Sequence, residues 1–403
     1  MTIACPDCGL LEDLPDLGPG SAAVCRLCRT DLELTIGRST TAALACALAT
    51  FLLLFPANLL PLAQVEIFGL HGENVIAGGI AILWNRGWYL LAGATAVLVV
   101  LLPFVRFGAL WAVLGALELG YRPSWLGAVF RWAVRLDRWA MLDVYLLASF
   151  VGYYRLSHVE QLHISLQMGG ECFAAAAFLT MLSRALLDRR TVWRAIAPEV
   201  RIDAGIEICS CTVCDLIQPA SRDGKPCPRC RATLRTRKPD SLPRTAALLV
   251  TAFLFYFPAN IYPMSVSSQL GTQHTYTIFA GIEALFDNDL WLLGVVVTCT
   301  SILFPLGKIF ALAWGVLAVR LRRAKHHIAR TRSIRVVSEL GRWSNTDPFT
   351  IVFFVPLMHF GALASASAGW GATAFVAMTL LTMFAAETFD PRLMWDAAAG
   401  RSR

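Results

Sequence analysis

Charge is scarce in this chain. Asp, Glu, Lys and Arg make up only 16% of its 403 residues, and hydrophobic residues make up 56%. A soluble domain carries roughly a quarter charged residues, so the composition argues against an ordinary water-soluble fold. Catalytic signatures are missing too. The chain has no Walker-type phosphate loop, no His-Glu-x-x-His motif and no Gly-x-Ser-x-Gly nucleophile elbow. No enzymatic activity is therefore expected. The first apolar run starts only near residue 41, so no cleavable leader is expected and the first membrane helix would itself direct insertion.

What the chain does have is apolar length. Eight runs approach or exceed the roughly 20 residues that cross a bilayer: about 41–63, 88–118, 139–157, 170–188, 243–264, 290–319, 347–366 and 370–388. Four fall in each half. If the N-terminus is cytoplasmic, the cytoplasmic segments are 1–40, 119–138, 184–244, 320–342 and 389–403, and they hold 31 of the 35 Lys and Arg residues. This asymmetry is the positive-inside rule. It accounts for the net charge of +7 without a nucleic-acid partner. The stretch Arg320-Leu321-Arg322-Arg323-Ala324-Lys325 then reads as a topology signal and an anchor to anionic lipids.

The chain is also a duplication. Cys5/Cys8 with Cys25/Cys28 precede Phe55-Pro56-Ala57-Asn58-Leu59-Leu60-Pro61, and Cys211/Cys214 with Cys227/Cys230 precede Phe257-Pro258-Ala259-Asn260-Ile261-Tyr262-Pro263. A shift of 202 superposes Cys25, Cys28, Pro56, Asn58 and Pro61 on their counterparts, as well as Pro103 on Pro305, Arg106 on Lys308 and Trp193 on Trp395. Near the third run the shift becomes 204, where Arg138, Trp139 and Asp143 meet Arg342, Trp343 and Asp347. An even number of spans per copy starts both copies on the same side, giving a parallel repeat.

These observations predict an all-α polytopic membrane protein of two tandem four-helix modules, eight spans in all, each preceded by a small cytoplasmic zinc ribbon. The expected boundaries are 1–38 and 205–238 for the ribbons, 39–190 and 239–390 for the modules, and 391–403 for a cytoplasmic tail. Both termini are expected in the cytoplasm.

Two Cys-x2-Cys pairs per head match zinc-ribbon spacing. The eight expected ligands are Cys5, Cys8, Cys25 and Cys28, then Cys211, Cys214, Cys227 and Cys230. Pro6, Gly9, Pro226 and Pro228 suit tight turns around them. Disulfides would need an oxidising compartment, against the charge pattern. Tetrathiolate geometry also suits iron, and sequence does not identify the metal. Cys209 is spare beside the second head, and Cys46, Cys172 and Cys299 read as core residues.

Inside the spans, ionisable groups cost roughly 2.5–3.5 kcal/mol each at the bilayer centre. Lys308 shares a helix face with Ser301, and Asp347 opens another span just after Ser344. Thr382 lies in the last span. A Lys–Asp pair ringed by hydroxyls would suit a gate, a proton-coupled switch or a lipid-phosphate site. The plainer alternative is that Lys308 snorkels to the interface and Asp347 caps its helix. In the first copy Asp143 and Thr180 remain, but Val99 replaces Ser301 and Ala140 replaces Ser344. The working site is therefore expected in the second half. The two prolines of each Phe-Pro-Ala-Asn-x-x-Pro segment break the helix ladder, and Asn58 and Asn260 are candidate donors to the freed carbonyls. His158 and His163 read as surface residues, and Glu171 and Glu387 carry no assigned role.

Tandem tetracysteine heads, each before a four-helix module that opens on Phe-Pro-Ala-Asn-x-x-Pro, resemble the paraquat-inducible protein A family of Gram-negative inner membranes. The resemblance implies a partner of periplasmic MCE-domain tunnel proteins that passes membrane lipids into or out of the tunnel. It also implies one zinc per head, and a polar cluster at Ser301, Lys308, Ser344, Asp347 and Thr382. Many relatives carry Trp-Ser-Met-x-Asp-x-Phe, whereas this chain reads Trp343-Ser344-Asn345-Thr346-Asp347-Pro348-Phe349. Two other functions fit the residues. One is a membrane oxidoreductase using the cysteine sites. The other is an anchor that recruits the tunnel without transporting.

Overall fold

The computed structural model describes residues 2–13, 21–34, 39–67, 70–157, 163–198, 208–269, 272–321, 327–357 and 364–399. His158 and the basic residues Arg322, Arg323 and Lys325 lie outside them.

The first head is two hairpins, β1 (Thr2–Ala4) with β2 (Leu11–Asp13) and β3 (Ala22–Val24) with β4 (Asp31–Leu34). Helix α1 (Thr40–Leu59) follows, then β5 (Ala63–Ile67), β6 (Leu70–Asn74) and the short α2 (Ile76–Asn85). Next comes a 30-residue helix, Tyr89–Glu118. It is made of α3 (Tyr89–Thr95), a π-turn segment (Ala96–Leu101) and α4 (Leu102–Glu118). The half closes with α5 (Leu126–Leu136), α6 (Leu142–Ser157), β7 (His163–Leu166), α7 (Met168–Leu186) and α8 (Arg189–Ile196).

The second half repeats this order. Its head carries β8 (Ile208–Ser210) and β9 (Ile217–Pro219). Then come α9 (Ser241–Ile261), β10 (Ser265–Gln269), β11 (Thr272–Tyr276), α10 (Ile278–Asp287), α11 (Trp291–Thr298), a π-turn segment (Cys299–Leu303) and α12 (Phe304–Arg320). The last elements are α13 (His327–Leu340), a 3-10 turn (Gly341–Asn345), α14 (Thr346–Leu357), β12 (Ala364–Ala368), α15 (Trp370–Thr388) and α16 (Arg392–Ala398).

The duplication read from the motifs thus extends to the secondary structure, and from α1 onward the paired elements begin 201 to 204 residues apart. Each of the eight expected runs overlaps a helix, the seventh only over its first part, up to Leu357. Among the described residues five are long and apolar enough to cross a membrane alone: Thr40–Leu59, Tyr89–Glu118, Ser241–Ile261, Trp291–Arg320 and Trp370–Thr388. Met168–Leu186 joins them only when taken with Arg189–Ile196, across a bend of 68°. The helix over Leu142–Tyr154 is shorter, and α14 ends at Leu357.

"All-α" needs amending. Each half holds a three-stranded antiparallel sheet, ordered β6-β5-β7 in the first and β11-β10-β12 in the second. These sheets sit beyond the ends of α1 and α9, away from the heads. The loops after the first helix of each half are therefore folded, and the loop before the last helix returns to pair with them.

Two sequence signals shape the long helices. Pro103 and Pro305 occupy the second positions of α4 and α12, each just after a π-turn. A proline supplies no backbone N–H, and the local widening to i→i+5 bonding absorbs the gap. At the end of α1, Asn58 donates to the Leu54 carbonyl at 2.7 Å, and in α9 Asn260 donates to Tyr256 at 2.8 Å. The prolines free the carbonyls of Leu52 and Leu254 instead, so the asparagines brace the next part of the helix end. The chain then runs tightly over the start of the last long helix. A Cβ on Gly169 would stand 2.4 Å from the Leu60 oxygen, and one on Gly371 would stand 2.4 Å from the Tyr262 oxygen. Only glycine permits that approach.

The two modules pack through α6 and α14. A Cβ on Gly152 would lie 2.6 Å from the Phe353 ring. Asn74 donates to the Phe353 carbonyl at 2.9 Å, and Arg86 donates to the Ala366 carbonyl at 2.8 Å. Thr350 of α14 donates to Ala148 of α6 at 3.3 Å.

The heads are exchanged between the modules. The first head packs on Trp395 of α16, and its Asp7 pairs with Arg335 of α13 at 2.5 Å. The second head lies on α5, where a Cβ on Gly127 would meet the Arg229 oxygen at 1.9 Å. Each head therefore rests on the module that it does not precede.

Candidate functional site

The metal centres are built by turns. In each Cys-x2-Cys knuckle the first cysteine accepts a backbone bond from the residue four positions on: Gly9, Arg29, Asp215 and Arg231. These four residues all have left-handed φ, from 55° to 75°, the conformation that folds both thiols inward. Only the first of them is glycine, so the other three knuckles accept a strained residue to keep the turn. The four sulfurs of each head lie within 4.8 Å of one another. Cys5 and Cys28 are 3.4 Å apart and Cys8 and Cys25 3.6 Å; in the second head the pairs Cys211–Cys230 and Cys214–Cys227 are 3.5 and 3.6 Å apart. Four thiolates around one ion at about 2.3 Å would stand about 3.8 Å apart, so each donor set fits a tetrahedral ion. All twelve cysteines are free thiols. Arg229, between two second-head ligands, donates to the Cys214 carbonyl at 3.5 Å. Its cation offsets the negative charge that four thiolates impose. Cys209 stays outside the set and faces the Pro219 carbonyl at 3.7 Å.

The membrane cluster of the second half is centred on Lys308, which is 2% exposed. Its chain lies over Gly341, where a Cβ would stand 2.7 Å from Lys308 Cδ and 3.1 Å from Nζ. Ser301, Ser344 and Thr382 are buried as well. Each hydroxyl gives its proton to its own helix backbone: Ser301 to Val297 at 2.6 Å, Ser344 to Gly341 at 2.7 Å, and Thr382 to Thr379 at 2.8 Å. What these hydroxyls leave open are acceptor lone pairs, which suit an ammonium. The described ion pairs include none between Lys308 and Asp347. Asp347 sits half-buried in the first turn of α14. Asn345 points its amide at the sulfurs of Met141 (3.5 Å) and Met383 (3.6 Å), bridging the halves.

Asp143 belongs to a different constellation. It accepts from Arg184 at 2.8 Å and from Arg342 of the other half at 2.6 Å. Asp137 accepts from Arg106 at 2.6 Å, Arg184 at 2.7 Å and Arg189 at 2.6 Å. Burial works against the Asp137 carboxylate, but Arg106, Arg184 and Arg189 outweigh it and hold its pKa well below the usual aspartate value. Asp137, Arg184 and Arg342 were not singled out from the sequence. The signal was present: the shift of 204 sets Asp137 against Gly341, so the counter-ion of Arg106 has no equivalent beside Lys308.

At the end of α15 a third set ties head connector to module. Asp390 pairs with Arg392 at 3.1 Å and accepts from the backbone of Lys238 at 3.1 Å. Burial opposes this carboxylate too, and Arg392 beside it prevails and lowers its pKa.

Comparison with known proteins follows the same two-part layout. The model of the paraquat-inducible protein A family matches residues 40–197 and 242–399. The intermembrane transport protein PqiA of Escherichia coli K12 is 31% identical over 98% of this chain and 95% of its own length. The lipophilic envelope-spanning tunnel protein A of the same strain is 29% identical, covering 98% of this chain and 91% of its own. A probable intermembrane transport protein of Haemophilus influenzae is 25% identical over 98% and 95%. No solved structure matches. Five candidate spans, two tetracysteine sites and the doubled match agree on one assignment: this multi-pass membrane chain belongs to the paraquat-inducible protein A family.

Proposed function

We propose that the chain is the inner-membrane subunit of an intermembrane lipid transport system. It passes phospholipid-like molecules between the bilayer and a periplasmic tunnel of MCE-domain protein. The names of its relatives, intermembrane transport protein and envelope-spanning tunnel protein, support this role. The observation that carries it is the buried Lys308, without an ion pair among the described residues and close to a glycine where the first half has an aspartate. A buried ammonium is costly unless a counter-charge visits it. A lipid phosphate passing through the second module is such a charge, and Ser301, Ser344 and Thr382 line its route. Asp347, at the mouth of α14, completes the set, with Asp143 steadying the first module. All eight helical runs cross the membrane in this reading. The heads, each holding zinc, and both termini face the cytoplasm, and the two three-stranded sheets face the tunnel partner.

The test is phospholipid transfer from proteoliposomes containing the full chain to an MCE-domain acceptor. Lys308→Ala is expected to reduce the rate at least tenfold while leaving the folded yield unchanged. A wild-type rate would remove Lys308 from the mechanism.

A further inference from the structure

The head-side end of the first module holds more positive charge than its carboxylates neutralise. Among the described ion pairs, Arg106, Arg184, Arg189 and Arg342 share Asp137 and Asp143. The exposed Glu339, near Arg342, and Asp215, which faces Arg189 together with Arg190, Arg229 and Arg392, bring further negative charge, and these arginines still outnumber the carboxylates. Arg106 is 2% exposed, and two of its three guanidinium nitrogens, Nε and Nη1, have no hydrogen-bond partner among the described residues. Its Cζ lies 4.6 Å from the centre of the Phe107 ring, a contact that compensates only part of such a charge. Arg342 Nε and the buried hydroxyl of Ser183, next to Arg184, are unpartnered as well. Arginine forks with free donors in a buried, net-positive set are the usual recognition element for a phosphate.

Depth points the same way. Arg106 is 17 residues into the helix that starts at Tyr89, which is about 26 Å along the axis at 1.5 Å per residue. That is close to the head-side boundary of a hydrocarbon layer about 30 Å thick, the level at which headgroup phosphates lie.

We propose that this end of the first module holds a phosphate group, supplied either by a phospholipid of the head-side leaflet or by free phosphate. The site is separate from the Lys308 cluster. Its anion neutralises Arg106, Arg184 and Arg342 together, and so fixes the contact between the halves that Arg342 makes.

Two measurements on the full-length detergent-purified protein test this. Native mass spectrometry with dioleoyl phosphatidylglycerol asks whether one lipid stays bound after nonspecific lipid is stripped. Thermal unfolding in inorganic phosphate, against chloride at equal ionic strength, asks whether the free ion suffices. Retained lipid identifies a headgroup, and a phosphate-dependent rise in Tm without retained lipid identifies the free ion. Arg106→Gln should lower occupancy about tenfold, as expected for losing a charge-assisted pair. Arg189→Gln, whose side chain is half exposed, should lower it severalfold and decides the matter if Arg106→Gln does not fold. Binding in neither arm, or binding at the unmodified protein's level by both arginine variants, overturns the proposal. Lys308→Ala should keep this binding while losing transfer, so the site and the transport role fail separately. Loss of binding in Lys308→Ala would assign the anion to the second module and also overturn the site.

Discussion

The two halves share an architecture and differ in how they treat one buried cation. In the first, Arg106 is met by Asp137 at 2.6 Å and drawn into a network with Arg184 and Asp143. In the second, Lys308 takes the equivalent place, and Gly341 stands where Asp137 would be. Val99 and Ala140, apolar in the first half, become Ser301 and Ser344 in the second. The duplication has therefore divided two tasks. One copy locks its cation into a structural network, and in the role proposed above the other leaves its cation ready for something that comes and goes. The difference lies in a few side chains, because the helices, π-turns and sheets are the same in both.

The exchange of heads gives the sharpest way to break this picture. A structural zinc held by four thiolates would be worth about 10–16 kcal/mol of apparent binding energy, so losing it is the largest effect expected. Cys8→Ser should empty the first head yet loosen α13 and α16 of the second module, and Cys214→Ser should loosen α5 of the first. Hydrogen exchange would show which helices lose protection. Loosening confined to the module beside the mutated head in sequence would refute the exchanged arrangement. Next in size is Asp137→Ala, which leaves Arg106 buried without its partner. Breaking a buried pair from one side costs about 3–5 kcal/mol, and a matching fall in Tm is expected. An unchanged Tm would show that the first half does not depend on its lock.

The converse change sharpens the comparison. Gly341→Asp places in the second half the carboxylate that the first already has. Lys308 Cδ is near, but it belongs to a flexible chain that can shift. Folding should survive while lipid transfer falls about tenfold, as Lys308 becomes locked. Full transfer would mean that neutralising Lys308 is harmless. The smallest effect concerns Asp390. Its pKa is lowered in the folded protein, so its contribution is present above the ordinary aspartate value of 3.8 and is lost as pH falls through the folded value. Stability should stay level from pH 7 to about 4 and then drop, with Asp390→Asn about 1 kcal/mol less stable at neutral pH and flatter below. An acid profile identical to the unmodified protein would remove Asp390 from the account.

Much of this was legible in the sequence because the determining signals are local. Cysteine spacing alone fixes the knuckles, and apolar length alone fixes the long helices. The sheets escaped notice for an equally local reason. Strands β10, β11 and β12 read Ser-Val-Ser-Ser-Gln, Thr-Gln-His-Thr-Tyr and Ala-Ser-Ala-Ser-Ala, largely polar or small, with few of the β-branched and aromatic residues that mark a strand. Their pairing is imposed by the helices that bring them together. Asp137 was hidden differently. It is aspartate on a short amphipathic segment and acquires meaning only when α5 folds back along α4 to meet Arg106. Lys308, singled out from the sequence, is buried against Gly341 in the structure. Asp347, expected beside it, lies half-buried in the first turn of α14, while the aspartate that pairs with the first half's cation has a glycine in its place here.

The placement of the first head has a consequence in time. Asp7 emerges from the ribosome near the beginning of synthesis, and Arg335, its partner 328 residues later, emerges near the end. Trp395, on which the same head rests, emerges later still. The first head, made before either module, is thus seated only after both. It must hold itself together, on its thiols and their ion, while two modules are inserted ahead of it. Contacts so distant in sequence form slowly, and a head that folds on its own metal can wait for them.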